Sequence, residues 1–187
     1  MRIIGGYLKG KKLYQPLDSK TRPLKDLVKE TIFNILAHSK DNKIDLNNAN
    51  ILDLFSGSGS FGIECLSRGA EVVYFLENYK DILKILNKNI TNLNLDKKAK
   101  IIEKNVLNLK SINFDQIKFE IIFIDPPFRY ENLNELIDEI SLSKITKPET
   151  VLIIHRNKKT KEKINQKFLI SREKIFGLSK LLFGKII

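Results

Sequence analysis

Hydrophobic residues fall along this chain in two kinds of run, and the two alternate. Short uninterrupted apolar stretches stand at Ile51-Leu-Asp-Leu-Phe55, Val72-Val-Tyr-Phe-Leu76, Ile101-Ile102, Glu120-Ile-Ile-Phe-Ile-Asp125 and Val151-Leu-Ile-Ile154. Their β-branched and aromatic content predicts strands. Between them apolar residues recur at helical spacing: Phe61 to Leu66, then Ile82, Leu86, Ile90 and Leu93, then Leu133, Leu136, Ile137 and Ile140. A further amphipathic helix over 24–38 follows from Val28, Ile32, Ile35 and Leu36, with Lys25, Asp26, Lys29 and Glu30 on its other face. At the end of the chain, Phe168–Phe176 and Leu178–Phe183 alternate about Gly177, the pattern of an antiparallel hairpin. Strands that are apolar throughout are buried on both faces, so the pattern predicts an α/β fold, a doubly wound and mostly parallel sheet between two helical layers.

The first residues do not share this alternation. Met1 to Leu13 reads as short extended pieces around glycine turns, a small β-hairpin that leads into the first helix. The polar stretch Ser39 to Ala49, rich in Asn, Asp and Ser, separates this piece from the rest. Two units are therefore expected: a hairpin-plus-helix extension over 1–40 and an α/β domain over 41–187.

Composition narrows the class. The chain has 187 residues, 33 Lys+Arg against 22 Asp+Glu, and a formal net charge of +11, which makes a polyanion the first partner to consider. One cysteine, Cys65, excludes a disulfide framework and a cysteine zinc cluster, and it is expected to be a small core residue. No apolar run approaches the roughly 18 residues of a membrane span, and the first residues carry no secretory signal, so a cytoplasmic protein with no membrane partner is expected. The charge is uneven. Arg2, Lys9, Lys11, Lys12, Lys20, Arg22 and Lys25 face one acid, Asp18, in the first 25 residues. Of these, Arg2, Lys9, Lys11, Lys12 and Arg22 are the candidates for phosphate contacts with RNA. A second group, Lys158, Lys159, Lys161, Lys163 and Lys167, is expected to coat a solvated helix. His38 and His155 have no partner at ligand or triad spacing, and neither receives a role; no metal set is expected.

Candidate chemistry begins at Asp53-Leu-Phe-Ser56-Gly57-Ser58-Gly59-Ser-Phe-Gly62, a G-x-G-x-x-G between a strand and a helix. Glycines there let the backbone approach a ligand at a helix N-terminus. Glu77, twenty residues past Gly57 at the end of the next strand, has the position of an acceptor for both ribose hydroxyls. A nucleoside cofactor follows, of one of two classes. A nicotinamide dinucleotide brings a pyrophosphate, which the carboxylate of Asp53 repels. S-adenosylmethionine brings a sulfonium and an ammonium, which it attracts. Asn105, with Val106 after it, stands just past the third strand where an adenine-edge partner is expected.

The sharpest feature is Asp125-Pro126-Pro127-Phe128 at the carboxyl end of an apolar strand. Ligands of open α/β sheets bind at those ends, so the tetrapeptide faces the same crevice as the glycine loop. The prolines fix where a carboxylate and a carbonyl point. The exocyclic amino group of a base is a poor nucleophile because its lone pair is delocalised into the ring. Two acceptors, the Asp125 carboxylate and the Pro126 carbonyl, can bind its two hydrogens and aim the lone pair at a methyl sulfonium. Phe128 offers a face for the base to stack on.

At these residues the sequence resembles a family. Asp/Asn-Pro-Pro-aromatic is the amino-methyltransferase signature, shared by adenine-N6, cytosine-N4, guanine-N2 and protein-glutamine enzymes. Met1-Arg-Ile-Ile-Gly-Gly6, Gly10-Lys-Lys-Leu13, Arg22 to Leu36, Asp53 to Gly59, Gly62 to Ala70 and Phe119 to Phe128 together look like the RsmD-type family, which methylates a guanine N2 in bacterial small-subunit (16S) rRNA. The resemblance implies a seven-stranded Rossmann-like methyltransferase sheet and S-adenosylmethionine held by Asp53, Ser56, Gly57, Ser58, Gly59 and Glu77, with Asn105 and Val106 near its adenine. It implies that Asp125 to Phe128 hold the guanine, and that the partner is small-subunit rRNA, naked or in a partly assembled particle, met by a monomer. Three positions depart from the family pattern: Leu24 replaces a usual Thr, Leu27 a usual basic residue, and Asn105 a commoner Asp. The alternatives are an adenine-N6 methyltransferase of RNA or DNA, a nicotinamide oxidoreductase on the same glycine loop, and an RNA-binding assembly factor without activity.

Overall fold

A computed structural model describes residues 1–16, 24–40, 43–127, 129–160 and 163–187. Seven strands form one sheet: β1 (Asn50–Leu54), β2 (Val72–Glu77), β3 (Ala99–Glu103), β4 (Ile121–Ile124), β5 (Val151–Asn157), β6 (Phe168–Phe176) and β7 (Ser179–Ile186). Their order is β3-β2-β1-β4-β5-β7-β6. The first five are parallel, while β7 runs antiparallel to both β5 and β6, as the alternation about Gly177 predicts. The helices are α1 (Asp26–His38), α2 (Ser60–Ser67), α3 (Lys80–Asn92) and α4 (Leu133–Leu142), with a 3₁₀ segment at Val106–Ser111 that has no periodic signal in the sequence.

Side chains alternate across each strand, and this sorts the core into two layers. Ile51, Val73, Phe75, Ile121, Phe123, Ile153, Leu181 and Phe183 pack with α1, α2, α3 and the first residues of the chain. Leu52, Leu54, Leu76, Ile122, Ile124, Leu152, Ile154 and Leu182 pack with the 3₁₀ segment and α4. Chain order reverses at β1: β2 and β3 lie on one side of it, β4 and β5 on the other. The crevice outside the carboxyl ends of β1 and β4 is therefore the switch point at which doubly wound sheets bind ligands.

Two expectations are corrected. Lys29 is fully buried, not solvated: its Nζ donates to Arg2 O at 2.6 Å and lies 3.7 Å from the equally buried Glu64 carboxylate of α2. Burial pulls the Lys29 ammonium below its usual range, against the opposing pull of Glu64 and Asp26. The solvated face expected there is covered because the first residues fold back over α1 and α2. Glu64 accepts from Ile4 N–H at 2.8 Å and from Arg68 Nε at 2.9 Å, and Ser67 donates to Gly5 O at 2.6 Å. The expected N-terminal hairpin is present: Arg2 bridges Lys12, and Ile3 N–H donates to Lys11 O, Gly10 N–H to Ile3 O and Leu13 N–H to Met1 O. Lys158, Lys159 and Lys163 lie on no helix; they follow β5, which pairing with β7 extends to Asn157, and Lys161 is outside the described residues.

Helix α2 is buried at all eight positions, and at Gly62 it touches the sheet. A Cβ there would stand 2.3 Å from Phe75 Cε1 and 2.7 Å from Val73 Cγ1, side chains themselves buried in the core. Gly62→Ala is expected to destabilise the fold by about 1–3 kcal/mol despite alanine's better helix propensity, lowering the melting temperature by several degrees in a thermal scan.

Candidate active site

The turn after β1 is set by backbone hydrogen bonds that specific side chains supply. Asp53, buried in β1, accepts from Gly62 N–H at 3.0 Å and so ties the strand to the first turn of α2. Phe55 takes φ 60° and Gly59 φ 83°, turning the chain out of the strand and into the helix. Glu77, at the end of β2, reaches across to accept Gly57 N–H at 2.9 Å through Oε2, while Oε1 accepts from Asn78 and Tyr79 N–H at 2.9 and 3.0 Å. Both carboxylate oxygens thus already hold backbone amides. From α3, Asn89 donates to Ser58 O at 2.9 Å and brackets Tyr14 N–H and C=O, which fastens the N-terminal segment to the loop.

Asp125 follows β4 directly, and Leu54 and Ile124 are in register, so the glycine loop and the Asp-Pro-Pro turn leave the sheet side by side. The turn is clamped from β5. Arg156, buried on one face, donates to Tyr130 O at 2.8 Å and Pro127 O at 3.4 Å. His155, buried on the other, places Nδ1 2.8 Å from Asp125 Oδ1 and Nε2 3.0 Å from Ser179 Oγ. His155, given no role from the sequence, therefore has two polar partners.

A cavity of about 630 Å³ opens at this junction. Of the residues singled out in the sequence, Asp53, Ser56, Gly57, Ser58, Glu77, Asn105, Val106, Asp125, Pro126 and Pro127 line it; Gly59 caps α2 just behind. Arg2, Lys9, Lys11 and Lys12 are exposed and do not line it. Phe128 and Arg22 lie outside the described residues. The lining also includes Gln15, Lys25, Lys104, Tyr130, His155 and Ser179, which sequence reasoning missed. His155 meets Asp125 through strand register, which the sequence does not show: Phe123 and Ile153 are paired, and two residues on, on the same face, come Asp125 and His155. Asn105 does not point an amide at open space alone, because its Oδ1 accepts from Leu107 N–H at 2.9 Å.

Three carboxylates, Asp53, Glu77 and Asp125, share this cavity. Burial first, then the charges of Asp125 and Glu77, push the Asp53 carboxyl well above its usual range, against the pull of the Gly62 amide. Burial likewise pushes the Tyr130 hydroxyl up to about 12. Four lining side chains hold buried polar atoms without a protein partner: Gln15 Oε1, Ser56 Oγ, Ser60 Oγ and Tyr130 OH. Buried polar groups are normally paired, so this concentration around one cavity is what a polar ligand would satisfy. Among the described residues no His, Cys, Asp or Glu cluster is placed to hold a metal, and no helix is long and apolar enough to cross a membrane.

Known proteins match the chain along almost its whole length. A Haemophilus influenzae relative named Ribosomal RNA small subunit methyltransferase D is 31% identical over 179 residues, 95% of this chain and 90% of that protein. An Escherichia coli relative of the same name is 36% identical over 138 residues, 74% of this chain and 65% of that one. The solved structure of the Escherichia coli protein yhhF superposes with a TM-score of 0.82 at 29% identity, covering 100% of this chain and 97% of that chain. The family described as "Conserved hypothetical protein 95" matches residues 1–185, and the chain belongs to it, the RsmD-type family whose motifs its sequence carries.

Proposed function

We infer that this protein transfers a methyl group from S-adenosylmethionine to the exocyclic N2 amino group of a guanine in small-subunit (16S) ribosomal RNA. The observation that carries this reading is the placement of Asp125-Pro-Pro at the end of β4 against the glycine loop of β1, on one cavity that Glu77 and Asn105 also line. The relatives' names support rRNA as the substrate, and the resemblance to the family supports guanine N2.

The cavity fits the cofactor by its unpaired polar atoms and by its charge. The Asp53 carboxylate favours a cationic ligand, and of the other lining residues Glu77 would accept from the ribose hydroxyls while Asn105 and Val106 would lie beside the adenine. Because the Glu77 oxygens already accept three amides, ribose binding there adds to or exchanges with the Gly57 contact. When bound, S-adenosylmethionine would supply an electrophilic sulfonium methyl group, and the proton given up by the methylated amino group would pass to solvent. Asp125 and the Pro126 carbonyl accept the two amino hydrogens and orient the lone pair; Arg156, bonded to Pro127 O and Tyr130 O, and the prolines hold the backbone of the turn. The exposed Arg2, Lys9, Lys11 and Lys12 meet RNA phosphates outside the cavity, which makes residues 1–40 the gripping part of a monomeric enzyme. The carboxylates of Asp53, Glu77 and Asp125 on the cavity wall disfavour a pyrophosphate and with it the nicotinamide alternative.

Small-subunit particles from a strain lacking the protein, incubated with it and S-adenosylmethionine, should yield N2-methylguanine on nucleoside analysis; N6-methyladenine would overturn the guanine reading. Asp125→Ala should cut turnover by at least about 100-fold while leaving S-adenosylhomocysteine affinity within several-fold in calorimetry. A second expectation concerns Asp53. Its carboxyl is pushed up in the folded state, so its contribution to stability is present below the ordinary carboxylate range and lost as pH rises through the folded value. Asp53→Asn keeps an oxygen for the Gly62 amide and removes the charge. It should raise the melting temperature at pH 7 and leave it little changed near pH 3, while weakening S-adenosylmethionine binding by about tenfold.

A further inference from the structure

Asp125, His155 and Ser179 form one line of hydrogen bonds drawn from three strands. Asp125 follows β4, His155 lies in β5, and Ser179 opens β7, opposite Asn157 of β5. His155 Nδ1 is 2.8 Å from Asp125 Oδ1, and Nε2 is 3.0 Å from Ser179 Oγ. The side chains of Asp125, His155 and Ser179 are on the sheet face of Phe123, Ile153 and Leu181, two residues along each strand, so the alignment is built into the register.

Hydrogen-bond chemistry orders this line. An ionised carboxylate only accepts, so Nδ1 must carry the proton that meets Asp125. In a neutral imidazole Nε2 is then an acceptor, and the Ser179 hydroxyl supplies its hydrogen. The same residue types serve hydrolases as a nucleophile-activating triad, with serine at the substrate. Here the order is reversed: Asp125 is 25% exposed in its side chain, whereas His155 is 4% and Ser179 7% exposed. The end that meets a ligand is the carboxylate.

We propose that His155 is a positioning residue for Asp125: its Nδ1–H, selected by the carboxylate in a ring that Ser179 orients from the other side, engages Oδ1 and leaves Oδ2 aimed at the target amino group. This deepens the methyl-transfer reading and rests on it. The need is electrostatic as well as geometric. Asp125 shares its cavity with Asp53 and Glu77, and a carboxylate without a local donor would turn from them towards solvent. A misplacement of about 1 Å at such a group costs on the order of 100-fold in rate. Arg156 fixes the backbone of the turn through Tyr130 O and Pro127 O, while His155 Nδ1 meets the Asp125 carboxylate itself.

Two measurements test this. In the wild-type full chain, nitrogen-15 spectra of the imidazoles, with His38→Gln to assign the signals, should show a proton on His155 Nδ1; a bare Nδ1 with the proton on Nε2 overturns the proposal whatever the reaction is. Single-turnover methyl transfer then compares variants. His155→Leu should lose on the order of 100-fold in rate with S-adenosylhomocysteine affinity within several-fold. His155→Asn, whose amide nitrogen takes the place of Nδ1, should recover at least about tenfold of that loss, and Ser179→Ala should lose about three- to tenfold. A folded His155→Leu with wild-type rate, or a folded His155→Asn as slow as His155→Leu, refutes positioning. Should the His155 variants not fold, wild-type turnover in Ser179→Ala refutes it alone. Wild-type protein that transfers no methyl group to guanine would instead overturn the reading on which the proposal rests, and the nitrogen-15 result would stand apart from that failure.

Discussion

Gly62 lets α2 approach the sheet so closely that a methyl group there would stand 2.3 Å from the Phe75 ring, and the molecule is arranged around that approach. With the helix seated, the Asp53 carboxylate reaches its first-turn amide, and the loop between them has little freedom but to pass through the positive-φ positions at Phe55 and Gly59. The outer side of the same helix must then be covered, because Glu64 and Ser67 face away from the sheet. The first residues of the chain do this by donating Ile4 N–H to Glu64 and accepting from Ser67 at Gly5 O. Lys29 closes the group from α1 with its ammonium on Arg2 O. A buried ion cluster of this kind adds less net stability than its distances suggest, since each charge is desolvated. Its effect is to choose one path for the N-terminal segment, and that path brings Gln15 to the cavity wall.

The parts legible in the sequence were those carried by local pattern. Uninterrupted runs such as Ile121–Ile124 gave strands because burial on both faces leaves no polar alternation to obscure them. Asp125 and the Gly57 loop were legible because a carboxylate or glycine at a strand end is a departure from such a run. What could not be read was proximity between elements. Lys29 sits at helical spacing for a solvated face and is buried only because a segment 25 residues away returns to it. His155 looked partnerless along the chain because its partners are one strand away on either side. The 3₁₀ turn after Asn105 is capped by one side-chain acceptor for Leu107 N–H, too small a signal to stand out among neighbouring Asn and Leu residues.

Charge divides the molecule by location. Of the positive groups behind the formal +11, Arg2, Lys9, Lys11 and Lys12 are exposed outside the cavity, while the cavity wall carries Asp53, Glu77 and Asp125 beside Lys25 and Lys104. Outside charges act through solvent and are screened within roughly 10 Å at 0.1 M salt. Inside ones act at short range through protein and add to burial in pushing the Asp53 carboxyl up. A long-range attraction for a polyanion and a short-range preference for a cationic small ligand can therefore coexist without cancelling.

The antiparallel strand β7 completes this arrangement in a way the parallel strands cannot. Parallel strands present their last residues to the ligand crevice, and Asp53, Glu77, Asp125 and His155 all stand at or beside such ends. A strand running the other way presents its first residue at that edge. Ser179 is that residue in β7, paired with Asn157 at the end of β5, and its hydroxyl reaches the imidazole that in turn reaches Asp125. A rule that looks only at carboxyl ends of strands passes over it. Reversal of a single strand thus does more than close the edge of the sheet: it sets a hydroxyl behind the histidine, where no parallel strand end would bring one, and fixes from behind the side chain that faces the ligand.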